Sequence, residues 1–85
     1  MKPCFHVGLC SSCRQGRLIL QRNDRSREIY AHCEECEWGF LKPEDVQYPE
    51  RAFLTLSSDG ETSDPPIEEI AETVWAKHLV GIALI

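Results

Sequence analysis

No stretch of this chain of 85 residues holds the run of about 18 apolar residues that a membrane-spanning helix needs. Residues 1–9 likewise contain no apolar block of the kind a secretory signal uses. Both absences lead to the expectation of a cytoplasmic protein in a reducing compartment, where disulfides are rare. An odd count of five cysteines also fits poorly with a closed disulfide framework. There is no Gly-rich phosphate loop and no nucleophile motif. His6, His32 and His78 stand in no recognised pattern, and no pair of carboxylates is set apart from the rest. The expectation is therefore a protein that is not an enzyme. Positive charge is also scarce, with 9 Lys and Arg against 14 Asp and Glu and a formal net charge of −5. A domain built to bind nucleic acid through its overall charge shows the opposite balance.

Two C-x-x-C pairs are present, Cys10 with Cys13 and Cys33 with Cys36, separated by 19 residues. That spacing matches the paired-cysteine signature of a structural zinc site. Zn2+ favours four tetrahedral ligands, and thiolate sulfur suits it. Each pair offers two sulfurs from one tight turn, and a hairpin between the turns brings the second pair beside the first. One structural Zn2+ ion is the expected cofactor, although four thiolates also accept iron. Cys4 and His6 are spare ligand types, too few for a second site, and read as a packed thiol and a surface imidazole.

The pattern predicts short strands around these turns. Phe5, Val7 and Leu9 alternate in an extended lead, and Gly16 offers a positive φ for the return after Cys13. Strands are expected over residues 17–22, 27–32 and 37–41, with a turn at 23–26. Trp38 and Phe40 fall on one side and should form an aromatic floor under the metal. Pro43 with Glu44 and Asp45 reads as one helical turn, and residues 51–56 as a strand closed by a turn at 57–60. Residues 61–63 offer a short return. Asp64 reads as the N-cap of a helix that runs to Gly81. Ile67, Ile70, Ala71, Val74, Trp75, His78 and Leu79 would form its buried stripe. Residues 82–85 form an uncharged apolar tail that either adds a strand to the sheet or presents a sticky edge.

The fold class expected is α+β: a small zinc ribbon with an antiparallel sheet and one C-terminal helix. Residues 1–85 make a single domain, with a ribbon part at 8–42 and a sheet extension with the helix at 43–85. Trp38, Phe40, Phe53, Leu54, Leu56, Ile70, Val74 and Trp75 should supply much of the core. Over residues 8–42 the chain resembles the zinc-ribbon fold group, through its two C-x-x-C knuckles and the hairpin between them. Many ribbon knuckles carry Gly directly after the second cysteine; here Arg14 and Glu37 hold those positions.

Charge is distributed unevenly. Residues 1–27 carry a balance of +5 and residues 28–85 a balance of −10. Glu34, Glu35, Glu37, Glu44 and Asp45 lie around and just after the second knuckle, an acidic surface suited to a basic protein partner. In size, acidity and lack of catalytic motifs the chain resembles small bacterial immunity and antitoxin proteins. That resemblance implies a zinc-stabilised protein-binding module that covers a basic toxin such as a nuclease. The alternative is a nucleic-acid-binding ribbon that works through Arg17, Arg22, Arg25 and Arg27 on the first hairpin, with Tyr30 and His32 nearby.

Overall fold

Leu18, Ile19 and Leu20 are three apolar residues in a row, and successive strand residues face opposite sides. A strand with this run must be covered on both faces. The computed structural model, which describes residues 3–54 and 62–84, meets that demand by placing the run in the middle of the sheet. The strand containing it is β2 (Arg17–Asn23), preceded by β1 (Pro3–Leu9) and followed by β3 (Ile29–Cys33), β4 (Trp38–Phe40) and β5 (Phe53–Leu54). Two further strands come later, β6 (Thr62–Ser63) and β7 (Gly81–Leu84). All the pairings are antiparallel, in the order β5-β4-β3-β2-β1-β7. β6 pairs with β2 beyond the residues of β2 that pair with β1, Ser63 with Arg22 and Thr62 with Asn23.

The β2–β3 hairpin turns on Asn23. Its side-chain oxygen accepts from the amides of Arg25 at 2.9 Å and Ser26 at 3.2 Å, an Asx turn. The register that follows pairs Leu18 with Cys33 and Leu20 with Ala31. Phe5, Val7, Leu18, Leu20, Ile29, Ala31, Cys33 and Phe40 then share one core with Cys10, Ile70 and Trp75. Cys4 and Ile19 pack together separately, as alternation along β1 and β2 requires.

One expectation fails at the helix. In place of a continuous helix over 64–80 there is a single α-helical turn, α1 (Ile67–Ile70), and a separate 3-10 segment, Val74–His78. Strand β7 follows them, so the helix is not the last element. Thr73 makes the break. Its hydroxyl donates to the Ile70 carbonyl at 2.7 Å and accepts from the Trp75 amide at 3.2 Å. Side-chain bonds of this kind compete with the helical ladder. Asp64 is not the N-cap; that position belongs to Pro66, and Asp64 instead accepts from the Gln21 amide nitrogen at 2.5 Å. The expected stripe splits as a result. Ile70 and Trp75 are buried, while Val74 is 68% exposed and Ile67, Ala71 and His78 also face solvent. Trp75 covers the core with its indole nitrogen donating to the Ile29 carbonyl at 3.1 Å. Thr73→Ala removes the cap and should destabilise the protein by about 1 kcal/mol, read as a lower midpoint in urea.

Other boundaries shift less. Residues 43–45 form the expected helical turn, of 3-10 type. A second such turn takes Pro49–Arg51, so the strand expected from 51 begins at Phe53. Phe40 is fully buried but Trp38 is 38% exposed and stands outside the core cluster. Leu56, the turn at 57–60 and Ile85 lie outside the described residues, as does the side chain of Leu54. The tail joins the sheet as β7, pairing Leu84 with Pro3 and Ile82 with Phe5. No described helix is long and apolar enough to cross a membrane.

Candidate metal centre

The two C-x-x-C turns are built alike. In the first, the Arg14 amide donates to the Cys10 carbonyl at 2.9 Å; in the second, the Glu37 amide donates to the Cys33 carbonyl at 3.2 Å. The residue after the second cysteine must then swing into the left-handed region, and Arg14 (φ 58°) and Glu37 (φ 64°) do so without being glycine. The sequence places no Gly at either position, yet the backbone takes the left-handed path at both. A left-handed residue with a Cβ costs about 1–2 kcal/mol. Arg14→Gly should therefore stabilise the protein by about 0.5–1 kcal/mol, net of the freedom that Gly adds to the unfolded chain. Thermal unfolding of the metal-loaded protein is the measurement.

Amides inside each turn point at the sulfurs. Ser12 donates to Cys10 Sγ at 3.3 Å and Gly16 to Cys13 Sγ at 3.4 Å. Glu35 and Cys36 both donate to Cys33 Sγ at 3.4 Å. Donors aimed at sulfur favour thiolate over thiol. The turns are also braced from outside. The Cys10 amide donates to the Gly16 carbonyl at 2.8 Å, and the Ser11 hydroxyl donates to the Val46 carbonyl. Glu34 accepts from Arg17 Nε at 2.6 Å, Nη2 at 3.0 Å and the Arg17 amide at 2.9 Å. That bidentate pair holds the Glu34 carboxyl below its usual range and clamps the second knuckle to the start of β2.

The β2–β3 register brings the knuckles face to face. Cys10, Cys13, Cys33 and Cys36 place their four sulfurs within 4.8 Å of one another. Cys10 Sγ lies 3.7 Å from Cys36 Sγ, and Cys13 Sγ lies 3.5 Å from Cys33 Sγ. A tetrahedral Zn2+ with bonds of about 2.3 Å needs sulfur–sulfur edges of about 3.8 Å. The donor set and spacing therefore fit one such ion. All five cysteines are free thiols, so no disulfide competes for these sulfurs. Cys10 and Cys33 are buried, and Cys13 and Cys36 are half-buried.

Backbone donors from Gly16 and Gln15 pull Cys13 down to about 6, while burial and the neighbouring sulfurs push Cys36 up to about 12. Burial also raises Cys33. A bound cation favours thiolate at all four. Metal ligation would keep these sulfurs as thiolates below the unfolded thiol range near 8.5. The stability supplied by the metal is thus present above that range and lost as pH falls through the bound-state values. Zinc release, followed with a chromogenic chelator, should rise steadily from about pH 7 to pH 5.

The role expected of Gly16 changes. Its φ is not positive; it is buried, and a Cβ there would stand 2.5 Å from Cys33 Sγ and 2.9 Å from the Glu35 Cβ. What the site needs at this position is the absence of a side chain. The sequence shows a glycine near a ligand, but only the fold reveals what it faces.

The remaining candidates are dispersed. Glu35 and Glu44 are exposed and Glu37 is half-buried. Asp45 is held by Arg51 at 2.9 Å. On the hairpin, Arg17 is committed to Glu34, and Arg22 binds both Glu69 oxygens, at 2.6 and 2.8 Å, as well as Asp24 at 3.1 Å. Arg25 and Arg27 are exposed in the turn, and Arg27 is also left-handed (φ 65°). Tyr30 is 5% exposed, its ring edge-on to Phe53. Cys4 is buried beside Ile19, and His6 Nδ1 accepts from the Gly8 amide at 3.3 Å. Among the described residues, the four cysteines are the one group of three or more ligand-type side chains close enough to share an ion. Comparison with protein-family models, with curated proteins and with solved structures finds no match, so the site rests on its own geometry.

Proposed function

We propose that the chain is a zinc-stabilised protein-binding module without enzymatic activity, which meets a basic partner through its acidic surface. The observation that carries the zinc half is the cluster of four cysteine sulfurs within 4.8 Å of one another, two of the pairs at 3.5 and 3.7 Å. Four protein ligands leave no open coordination position for water or substrate, so a metal held there braces the fold and does not activate a nucleophile.

The binding half rests on charge. Residues 28–85 carry a balance of −10, and Glu35 and Glu44 are exposed on either side of β4 in sequence. Glu34 and Asp45 are occupied by Arg17 and Arg51, so the proposed contact centres on Glu35 and Glu44. The sharpest form of this reading is an immunity or antitoxin type of protein that covers a cationic nuclease. The arginine-hairpin alternative gains no support, because Arg17 and Arg22 spend their donors within the chain and Tyr30 offers no open face for a base.

The test is capture from cell extract on the immobilised, zinc-loaded protein, with and without nuclease treatment. A stoichiometric basic protein that survives nuclease and is lost with Glu35→Lys plus Glu44→Lys supports the reading. Recovery of nucleic acid alone, lost with Arg25→Glu plus Arg27→Glu, would sink it.

A further inference from the structure

β7 is the last described strand on its side of the sheet. β1 pairs with one of its edges, and no described strand pairs with the other. An unpaired edge presents a row of backbone donors and acceptors that another strand can complete, and proteins usually blunt such edges with charge, proline or a bulge. Residues 79–85 contain no charged residue and no proline, and the β1–β7 register runs from Pro3–Leu84 to His6–Gly81 without a shift. None of these protections is present.

The side chains point the same way. Ile82 stands opposite Phe5, and directly opposed residues share a face of the sheet. Phe5 packs against the core, yet Ile82 is 61% exposed and Val80 is 68% exposed. They extend the apolar face of the sheet beyond the segment 67–79 that covers it.

We propose that this edge pairs with the same edge of a second copy, β7 antiparallel to β7 about a twofold axis at Ile82. The argument for a second copy is self-complementarity. In that register Ile82 faces Ile82 of the second copy, Val80 meets Leu84, and Gly81 meets Ala83. Every residue that meets another across this axis is uncharged, so the pairing sets no charge against a like charge. A C2 interface needs this kind of self-match. The uncharged edge also lets two chains of net charge −5 meet without placing carboxylates in contact. Their residual repulsion is long-range and screened by salt. Dimerisation should therefore strengthen with ionic strength, whereas binding of a basic partner through the acidic surface should weaken.

The experiment is sedimentation of the zinc-loaded full chain, under reducing conditions, from about 5 µM to 500 µM at low and moderate salt. The expected result is a doubling of apparent mass across this range, at lower concentration in higher salt. Amide exchange at residues 81–84 should slow in parallel. Ile82→Lys and, separately, Val80→Lys should each return the protein to monomer while zinc content and far-UV circular dichroism stay unchanged. A wild-type protein that stays monomeric throughout overturns the proposal. So does a dimer that leaves exchange at 81–84 unchanged, an observation that needs no variant to fold. The acidic-surface reading stands or falls separately, on Glu35 and Glu44.

Discussion

Removing the metal is expected to unfold this protein. A structural zinc site contributes about 10–16 kcal/mol of apparent binding free energy, and a domain's net stability is only about 5–15 kcal/mol. Here the ligands are also part of the core. Cys10 and Cys33 are buried among Leu18, Leu20, Phe40, Ile70 and Trp75. Without the cation, burial and the neighbouring sulfurs push Cys36 up to about 12 and burial raises Cys33, so both stay neutral thiols at neutral pH. A strong chelator at neutral pH should collapse the dispersion of the amide NMR spectrum, and one equivalent of Zn2+ should restore it. Cys33→Ser should give the same collapsed spectrum with no chelator present. A native spectrum that persists in the metal-free protein would show that the apolar core suffices alone, and would remove the structural role assigned to the site.

Gly16→Ala is expected to do nearly as much damage with a single methyl group. The added carbon would stand 2.5 Å from Cys33 Sγ and 2.9 Å from both Cβ and Cγ of Glu35. Glu35 can move its outer atoms, but Cys33 is a fully buried ligand with no room to retreat. Either the knuckle opens or the sulfur leaves its tetrahedral position. Overpacking of this kind costs about 1–3 kcal/mol, and here the displaced atom is a ligand. The expected loss is about 3 kcal/mol of stability together with roughly 100-fold weaker zinc binding, by competition with a chelator of known affinity. Full retention of affinity would mean that the first knuckle is looser than the hydrogen bonds of Gly16 and Cys10 imply.

Much of the centre was legible in the sequence because its signals are local. Two cysteines in four residues constrain each other through the chain, and a short hairpin constrains the two pairs. The strands expected over 17–22 and 27–32, found at 17–23 and 29–33, were legible for the same reason, with Asn23 and Ser26 marking the turn. The helix was misread because its stripe was a correct pattern with a silent interruption. Ile67, Ile70, Val74 and Trp75 keep helical spacing, and nothing in that spacing reveals that Thr73 bonds backwards to Ile70. Gly16 was misread because the obstacle to a Cβ comes from Cys33, which is remote in sequence. Arg14 and Glu37 show the reverse case. Glycine was missing where the knuckle calls for it, and the backbone took the left-handed path anyway. Ion pairs such as Arg22 with Glu69 join distant segments and could not be read from spacing at all.

The pairing of β1 with β7 sets an order of events for a chain that starts unfolded. Pro3 and Leu84 must meet across nearly the whole sequence, whereas β2 and β3 meet across a turn of five residues. Closing the long loop is slow and gains nothing until both ends arrive, while the hairpin closes early and at little entropic cost. The hairpin also happens to be what joins the two knuckles. Metal capture can therefore precede the docking of β1 and β7, so that the sheet grows outward from an already loaded nucleus. Substitutions in β7 should then speed unfolding with little effect on the folding rate, while substitutions in the β2–β3 hairpin should slow folding itself.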